Sequence, residues 1–290
     1  MNRVLSHIGI LANSLVGECL KFRDKLYGPD IQPSKARPAV AGKRLIVSLT
    51  SYGERTGSAL PFTIYSILRQ SVAPDEIVVW LDREEWNDGN LPSRISELKD
   101  KNLITVRYCE NLRSYKKIIP SLEAYPDDLI ITVDDDLYYR RNLIADLVSG
   151  YREHPDSIIA HRAHCPEIKN GVLQPYSRWK KRIQGPCYGL IFPTSGGGTL
   201  YQKRLFHGDI CNRDLFMSLC PSADDVWLFF MAQLNGTEHF LVGSKGPEFY
   251  PLDNFRQSWR RDSLYGANGH MNMNDSQINA MVKHYDYRFE

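Results

Sequence analysis

The chain has almost no excess of charge of either sign: 36 Lys and Arg stand against 34 Asp and Glu over 290 residues. That balance excludes the broad basic surface by which proteins hold a nucleic-acid backbone, so no nucleic-acid partner is expected and any anionic ligand must be met by a local cluster. Close cysteine pairs are lacking too. Cys19, Cys109, Cys165, Cys187, Cys211 and Cys220 form no CxxC pair, and no signal-peptide pattern precedes them, which excludes a zinc cage or a dense disulfide framework and fits reduced thiols in the cytoplasm. No apolar run is long enough to span a bilayer, because His7, Asn13 and Glu18 interrupt Val4, Leu5, Ile8, Ile10, Leu11, Leu15 and Val16. An amphipathic helix from about Val4 to Lys25 is expected instead. It serves either as a packing helix or oligomer contact, or as a peripheral attachment, at most, to the inner face of the cell membrane. Internal repeats and low-complexity segments are also absent.

What is present is ample material for a core, with 42% apolar residues. Tyr27 to Gly42, containing Pro29, Pro33 and Pro38, reads as a linker, so residues 1–42 form the helix and linker, and 43–290 form the main domain. Lys43 to Thr50, Glu76 to Leu81, Ile104 to Tyr108 and Leu129 to Val133 are short apolar, β-branched runs that predict strands. Between them, Ala59 to Arg69 and Tyr115 to Ala124 carry helical spacing. This alternation predicts an α/β fold with a mostly parallel sheet. Beyond residue 137, where a subdomain boundary is expected, the rhythm loosens. A helix over Asn142 to Glu153 and a strand over Ser157 to Ala160 lead into an irregular stretch from His164 to Gly198. Helices follow around Asp225 to Leu234 and over Asp275 to Tyr285, the last capped by Asn274 or Asp275.

The most informative residues are Asp134-Asp135-Asp136, directly after the apolar Leu129 to Val133 run. Such a position is the carboxyl edge of a parallel sheet, where α/β folds bind ligands. Packed like charges need a counter-ion, and a hard divalent cation, Mn²⁺ or Mg²⁺, would both relieve the repulsion and bridge to a diphosphate. A solvated acidic turn capping the next helix is the plainer alternative. Lys116 and Lys117, with Arg113 nearby, either steady phosphate oxygens or are ordinary surface charge. Gly196-Gly197-Gly198-Thr199 reads as a flexible turn, or as a place where backbone approaches a sugar. Ser177 to Arg182 (SRWKKR) reads as a solvated loop, or as a contact for a phosphorylated acceptor or a membrane surface.

Taken together, the LTSYGER turn after the first strand, Asp82 after the second, Asp134-Asp135-Asp136 and Asp224-Asp225-Val226-Trp227-Leu228 resemble the GT-A-fold glycosyltransferases, particularly the bacterial family-2-like enzymes that build surface polysaccharides. The match spans roughly Leu45 to Leu234. The resemblance implies a GT-A-like, Rossmann-like sheet whose 43–137 half binds a nucleotide-sugar donor and whose irregular 138–290 half binds the acceptor, a carbohydrate or lipid-linked glycan. It implies that Thr50, Ser51, Tyr52, Arg55, Lys116, Lys117, Asp134 and Asp135 border the donor, with Asp82 accepting a hydrogen bond from the base, UDP being the suggested carrier. Thr50 and Ser51 as plain turn residues, and Asp82 as a cap, remain the alternatives. It makes Asp134 and Asp136 the metal ligands, with His270 a third, His239 an alternative, and a structural role open for either histidine. It also makes Asp225 or Asp224 the general base of an inverting transfer, although the pair here is Asp-Asp rather than the commoner Glu-Asp, and a helix N-cap is the rival account. Gln257-Ser258-Trp259-Arg260-Arg261 is similar to the Gln-x-x-Arg-Trp motif of processive synthases but has Trp and Arg in the other order.

Other classes fit less well. A nucleotidyltransferase would need a glycine-rich basic loop after the first strand, where SYGER offers one glycine and one arginine. A phosphohydrolase would carry its nucleophile after the first strand, and a non-catalytic carbohydrate-binding protein would not need clustered carboxylates.

Overall fold

The computed structural model describes residues 2–28, 40, 42–183, 185, 187–243, 249–252 and 273–289, with backbone alone for 2–10 and 187–189. Four parallel strands form its centre: β1 (Leu45–Thr50), β2 (Glu76–Asp82), β3 (Thr105–Cys109) and β4 (Leu129–Thr132). They lie side by side in the order β4-β1-β2-β3. Strands β1, β2 and β4 are apolar on both faces because both faces are covered, while β3 at the sheet's edge is half-buried. From β1, Leu45, Val47 and Leu49 point into one cluster, with α3 (Leu60–Leu68) and α6 (Leu143–Glu153), while Ile46 points into the other, with α5 (Ile119–Ala124) and α8 (Asp224–Leu234). The predicted mostly parallel α/β sheet is therefore present. Ser48 and Trp80, the polar atoms on the α5 side, are satisfied together by Ser121, whose Oγ lies 2.7 Å from Ser48 Oγ and accepts from Trp80 Nε1 at 2.7 Å.

The second half of the chain extends the same sheet. After β5 (Leu137–Tyr139) come β6 (Ile158–Ala160), the two-residue strands β7 (Ala163–His164), β8 (Ile168–Lys169) and β9 (Val172–Leu173), then β10 (Cys187–Gly189), β11 (Phe192–Pro193), β12 (Thr199–Tyr201), β13 (His239–Leu241) and β14 (Phe249–Pro251). Strand β12 inserts antiparallel between β4 and β6, and β13 and β10 complete an eight-stranded sheet. The stretch read as irregular thus holds short strands that carry no period of their own.

Three local expectations are corrected. Tyr115 to Ala124 is not one helix: a 3₁₀ turn over Arg113–Lys117 breaks at Ile118 before α5, whose first turn holds Pro120. The last described helix, α9 (Met273–Tyr285), begins before Asn274, and Asp275 instead accepts the Tyr176 N–H at 2.7 Å. Nor is Ser177 to Arg182 a plain solvated loop. Trp179 is buried, its ring 5.2 Å from Phe192 and 4.8 Å from Tyr176, while Lys181 lies over the Tyr176 ring at 3.0 Å.

Helix α1 (Asn2–Tyr27) runs close to the expected span and packs on β14, β5 and α3. Gly17 allows this: a Cβ there would stand 2.2 Å from the Pro251 carbonyl oxygen. No single helix among the described residues is long and apolar enough to cross a membrane. The short helices α2 (Arg55–Ser58), α4 (Ser93–Asp100) and α7 (Arg213–Leu219) complete the described helices named here.

Candidate active site

The carboxyl ends of β1, β2 and β4 lie together at one edge of the sheet, which brings Thr50 to Arg55, Asp82 and the acidic triplet to one region. The triplet runs on from β4 toward β5, and the side chains alternate. Asp134 and Asp136 keep 38% and 20% of their side chains exposed, whereas Asp135 keeps 7% and turns inward. Asp135 accepts from Ser51 Oγ at 2.5 Å and from Arg55 Nη2 at 2.5 Å, and its carbonyl accepts from Thr63 Oγ1 at 2.9 Å. Burial pushes its carboxyl up to about 7, with Arg55 pulling the other way and Asp136 and Asp134 adding to the rise. Arg55 Nη2 also lies 2.6 Å from Asp136 Oδ2. Burial alone would lower the Arg55 pKa, and Asp135 and Asp136 outweigh it and raise it.

Asp134 meets a second cation. Lys117, from the 3₁₀ turn, is almost fully buried and places its Nζ 2.8 Å from Asp134 Oδ1 and 3.2 Å from Asp224 Oδ2. Burial would strip its proton, but Asp134, Asp224 and Asp225 hold its pKa well above the ordinary value. For Asp134, burial works upward and is overcome by Lys117, Arg55 and Arg162, which hold the carboxyl below its usual range. Lys117 is set by the chain around it. Tyr115 Oη donates to the Cys220 carbonyl at 2.7 Å and Arg113 Nη1 to the Pro221 carbonyl at 2.8 Å, which ties the 3₁₀ turn to the loop leading into α8. Gln277 Oε1 of α9 accepts from the N–H groups of Ser222 and Ala223 in that loop.

Asp224 and Asp225 occupy the first turn of α8, where the helix dipole favours negative charge. The N-cap is Ala223 and makes no side-chain cap bond, so neither carboxylate is the cap. Asp225 Oδ1 instead accepts the Ser195 N–H at 2.9 Å, and makes no ion pair among the described residues. Burial and then the neighbouring Asp224 push Asp225 up to about 6, against the pull of Lys117. One acidic pair is therefore divided: Asp224 is bound to a lysine, and Asp225 makes no ion pair among the described residues.

Sequence reasoning missed Tyr139, Ser195 and Arg162. Tyr139 Oη accepts the Asp134 N–H at 2.8 Å and donates to the Gly196 carbonyl at 2.5 Å, fixing the start of the triplet. Gly196 is the signal that was available, and it is not a flexible turn. A Cβ there would meet Asp134 Oδ2 at 1.8 Å, so the glycine is the surface against which that carboxylate is seated. Gly196→Ala is expected to displace Asp134 and cost about 1–3 kcal/mol, read as a lowered midpoint in urea unfolding; an unchanged midpoint would contradict the close packing.

The remaining candidates are placed as follows. Thr50 Oγ1 donates to the Trp80 carbonyl at 2.7 Å, and Tyr52 is exposed beneath the Arg55 guanidinium at 5.2 Å. Asp82 is buried and accepts the Glu84 N–H at 3.0 Å, the bond of a turn cap. Lys116 is buried rather than a surface charge, and its charge reaches Cys109. His239 stacks on Phe229 at 5.7 Å inside the core, where burial lowers its pKa to about 3. His270 and the Gln257 to Arg261 segment lie outside the described residues. Among the described residues no three His, Cys, Asp or Glu side chains come together to hold a metal ion.

Among solved structures, the chain is similar to glucosyl-3-phosphoglycerate synthase from Mycobacterium tuberculosis in complex with Mn²⁺, uridine diphosphate and phosphoglyceric acid, with 18% identity and a TM-score of 0.33 over 44% of this chain and 48% of that one. It is also similar to the same enzyme with Mg²⁺ and uridine diphosphate, with 19% identity and a TM-score of 0.31 over 41% and 43%. The chain thus spans less than half the length of these structures, 48% and 43%. No curated protein matches it. The family model for glycosyl transferase family 2 matches residues 47–208, a span that takes in most of β1 and all of β2 to β4, Lys117, the acidic triplet and Gly196, and the chain belongs to that family.

Proposed function

We propose that the protein transfers a sugar from a nucleotide-sugar, with UDP as the carrier, to a hydroxyl of a carbohydrate acceptor such as a growing surface glycan, inverting the anomeric centre. The observation that carries this reading is Lys117, whose contacts at 2.8 and 3.2 Å put the strand-end carboxylates and the α8 carboxylates within one ammonium group's reach. A donor's leaving group and an acceptor's hydroxyl must meet in just such a space.

Asp134 and Asp136 fit a divalent cation. They are the two outward members of an alternating triplet, they supply hard oxygen donors, and the carboxylates here outnumber Arg55, Lys117 and Arg162 beside them. Asp134 and Asp136 would be the residues that hold such an ion beside a donor diphosphate. When bound, such an ion stabilises charge on a leaving diphosphate. Asp225 removes the acceptor proton, since a sugar hydroxyl is a poor nucleophile until that proton is gone. Lys117 and Arg55, beside Asp134 and Asp135, are the cations that would meet the donor's phosphate oxygens. Tyr52 and Asp82 border the base, and Asp135 holds the loop. Free Cys19, Cys109, Cys165, Cys211 and Cys220 suit a cytoplasmic setting.

A thermal-shift panel of nucleoside diphosphates and nucleotide-sugars, each with and without Mn²⁺, tests the reading. A metal-dependent rise with one nucleotide is expected and names the carrier. No rise with any nucleotide would move the reading to a carbohydrate-binding protein, and a rise with nucleoside triphosphates alone to a nucleotidyltransferase.

A further inference from the structure

The elements that reach the catalytic edge stand in a fixed order. Across the sheet the strands run β3-β2-β1-β4-β12-β6-β13. The edge therefore presents Asp82 of β2, the turn after β1, the acidic triplet after β4, the glycines before β12 and then the residues after β6. Strand β12 sets the register of the last three. Thr199 pairs antiparallel with Thr132 of β4 on one side and with Ala160 of β6 on the other, so β4 and β6 run parallel. Asp134 and Arg162 each stand two residues beyond those paired positions and leave the sheet at the same edge, two strand spacings or roughly 10 Å apart. Gly196 and Gly197 fill the interval. A Cβ on the first would strike Asp134 Oδ2 at 1.8 Å, and one on the second would strike the Arg162 Cβ at 2.4 Å.

Three cations serve this edge, and two of them have carboxylate partners. Lys117 is held by Asp134 and Asp224, and Arg55 by Asp135 and Asp136. Arg162 differs. Its stem lies against Gly197 and its guanidinium stands 5.4 Å over the Phe249 ring, so packing holds it in place. Its charge reaches Asp134, yet among the described residues it makes no hydrogen bond and no ion pair, and its Nε is buried with no acceptor. A guanidinium carries five N–H donors in a planar fork, and folded proteins rarely leave such a donor buried without a partner. A fork fixed at a ligand-binding edge with its donors unspent is prepared for oxygen atoms that a ligand brings.

We propose, resting on the transferase reading of this site, that Arg162 binds the sugar of the donor and sets which sugar is accepted. With the base near Asp82 and Tyr52 and the diphosphate at the triplet after β4, a nucleotide-sugar laid along the edge carries its sugar over the glycines before β12. Arg162 is the first charged side chain from the sheet beyond those glycines. Its N–H groups donate to oxygens of that sugar, and a site that spends buried donors on a substrate's hydroxyls discriminates against analogues that place them elsewhere. Asp225 meets the same stretch at the Ser195 N–H, 2.9 Å away, so the sugar held by Arg162 lies beside the proposed base.

The test is calorimetry of the full chain with Mn²⁺, in which uridine diphosphate, UDP-glucose, UDP-galactose and their N-acetylamino counterparts are titrated into the wild type, Arg162→Ala and Arg162→Lys. In the Ala variant the affinity for uridine diphosphate is expected to stay within about twofold, while the affinity for the sugar nucleotide that the wild type binds best falls about ten- to hundredfold, the range of a hydrogen bond to a charged group. The Lys variant keeps the charge without the fork, and is expected to hold uridine diphosphate as the wild type does and to lose the preference among sugars. The melting temperature is expected to hold in both, since Arg162 has no hydrogen bond among the described residues to lose. An equal loss of uridine diphosphate and of the sugar nucleotide would assign Arg162 to Asp134 or to the phosphates and overturn the proposal. So would an unchanged sugar-nucleotide affinity, with or without a raised KM for acceptor, or a wild type that binds all the sugars alike. A wild type that binds no uridine diphosphate would reject the transferase reading itself, and this proposal with it.

Discussion

Asp225→Asn is expected to bind the donor and its metal as the wild type does and to lose transfer by about 10²- to 10⁴-fold, the range that a positioned general base contributes. The amide oxygen can still accept the Ser195 N–H that now lies 2.9 Å from Asp225, so the α8 start keeps its anchor and only the proton acceptor is removed. The choice of Asp225 over Asp224 rests on their partners. Asp224 is spent on Lys117 at 3.2 Å, while Asp225 makes no ion pair among the described residues. A pH profile separates chemistry from packing. Burial and Asp224 raise Asp225 from 3.8 to about 6, so it takes up a proton as pH falls through about 6, and the wild-type kcat/KM is expected to decline on the acid side of that value. The residual activity of the Asn variant is expected to lack that limb. Wild-type turnover in the variant would place the base elsewhere.

Asp136→Ala is expected to abolish metal-dependent binding of nucleoside diphosphate, by more than the ~10–100-fold that outer partners of a metal site cost. The fold is expected to survive. The Asp136 side chain is partly exposed, and Arg55 retains its 2.5 Å contact with Asp135 once Asp136 is gone. Calorimetry with Mn²⁺ and uridine diphosphate reads the loss directly, and circular dichroism reads the fold. An unchanged affinity would remove Asp136 from the metal site, and with it the reading of the triplet as alternating ligands around an inward Asp135.

The parts of the fold that were legible are those whose sequence carries a long signal. LIVSLT, EIVVWL and LIITV are continuous apolar runs because β1, β2 and β4 are covered on both faces, and the carboxylates after the last of them could be placed at the sheet edge from that alone. Strand β12 could not be read, since three residues inserted antiparallel between β4 and β6 show no period. Gly196 could not be distinguished from a flexible turn, because a glycine that is free and one that is crowded look alike in sequence, and only the fold brings Asp134 against it. Trp179 among four basic residues suggested an interface, yet its partners Tyr176 and Phe192 draw it into the core. In α1 the amphipathic pattern was visible, but the face that docks is the polar one. That choice is made by Arg69, Tyr138 and Phe62, which lie far along the chain.

The most direct measurement is the release of nucleoside diphosphate from a panel of nucleotide-sugars incubated with the protein and Mn²⁺, followed by phosphorus nuclear magnetic resonance. The account expects slow release of the diphosphate from donors of one base, stopped by chelation and by Asp136→Ala, and accelerated when the right acceptor is added. Release of inorganic phosphate or of nucleoside monophosphate instead, or equal release with the metal chelated, would contradict it.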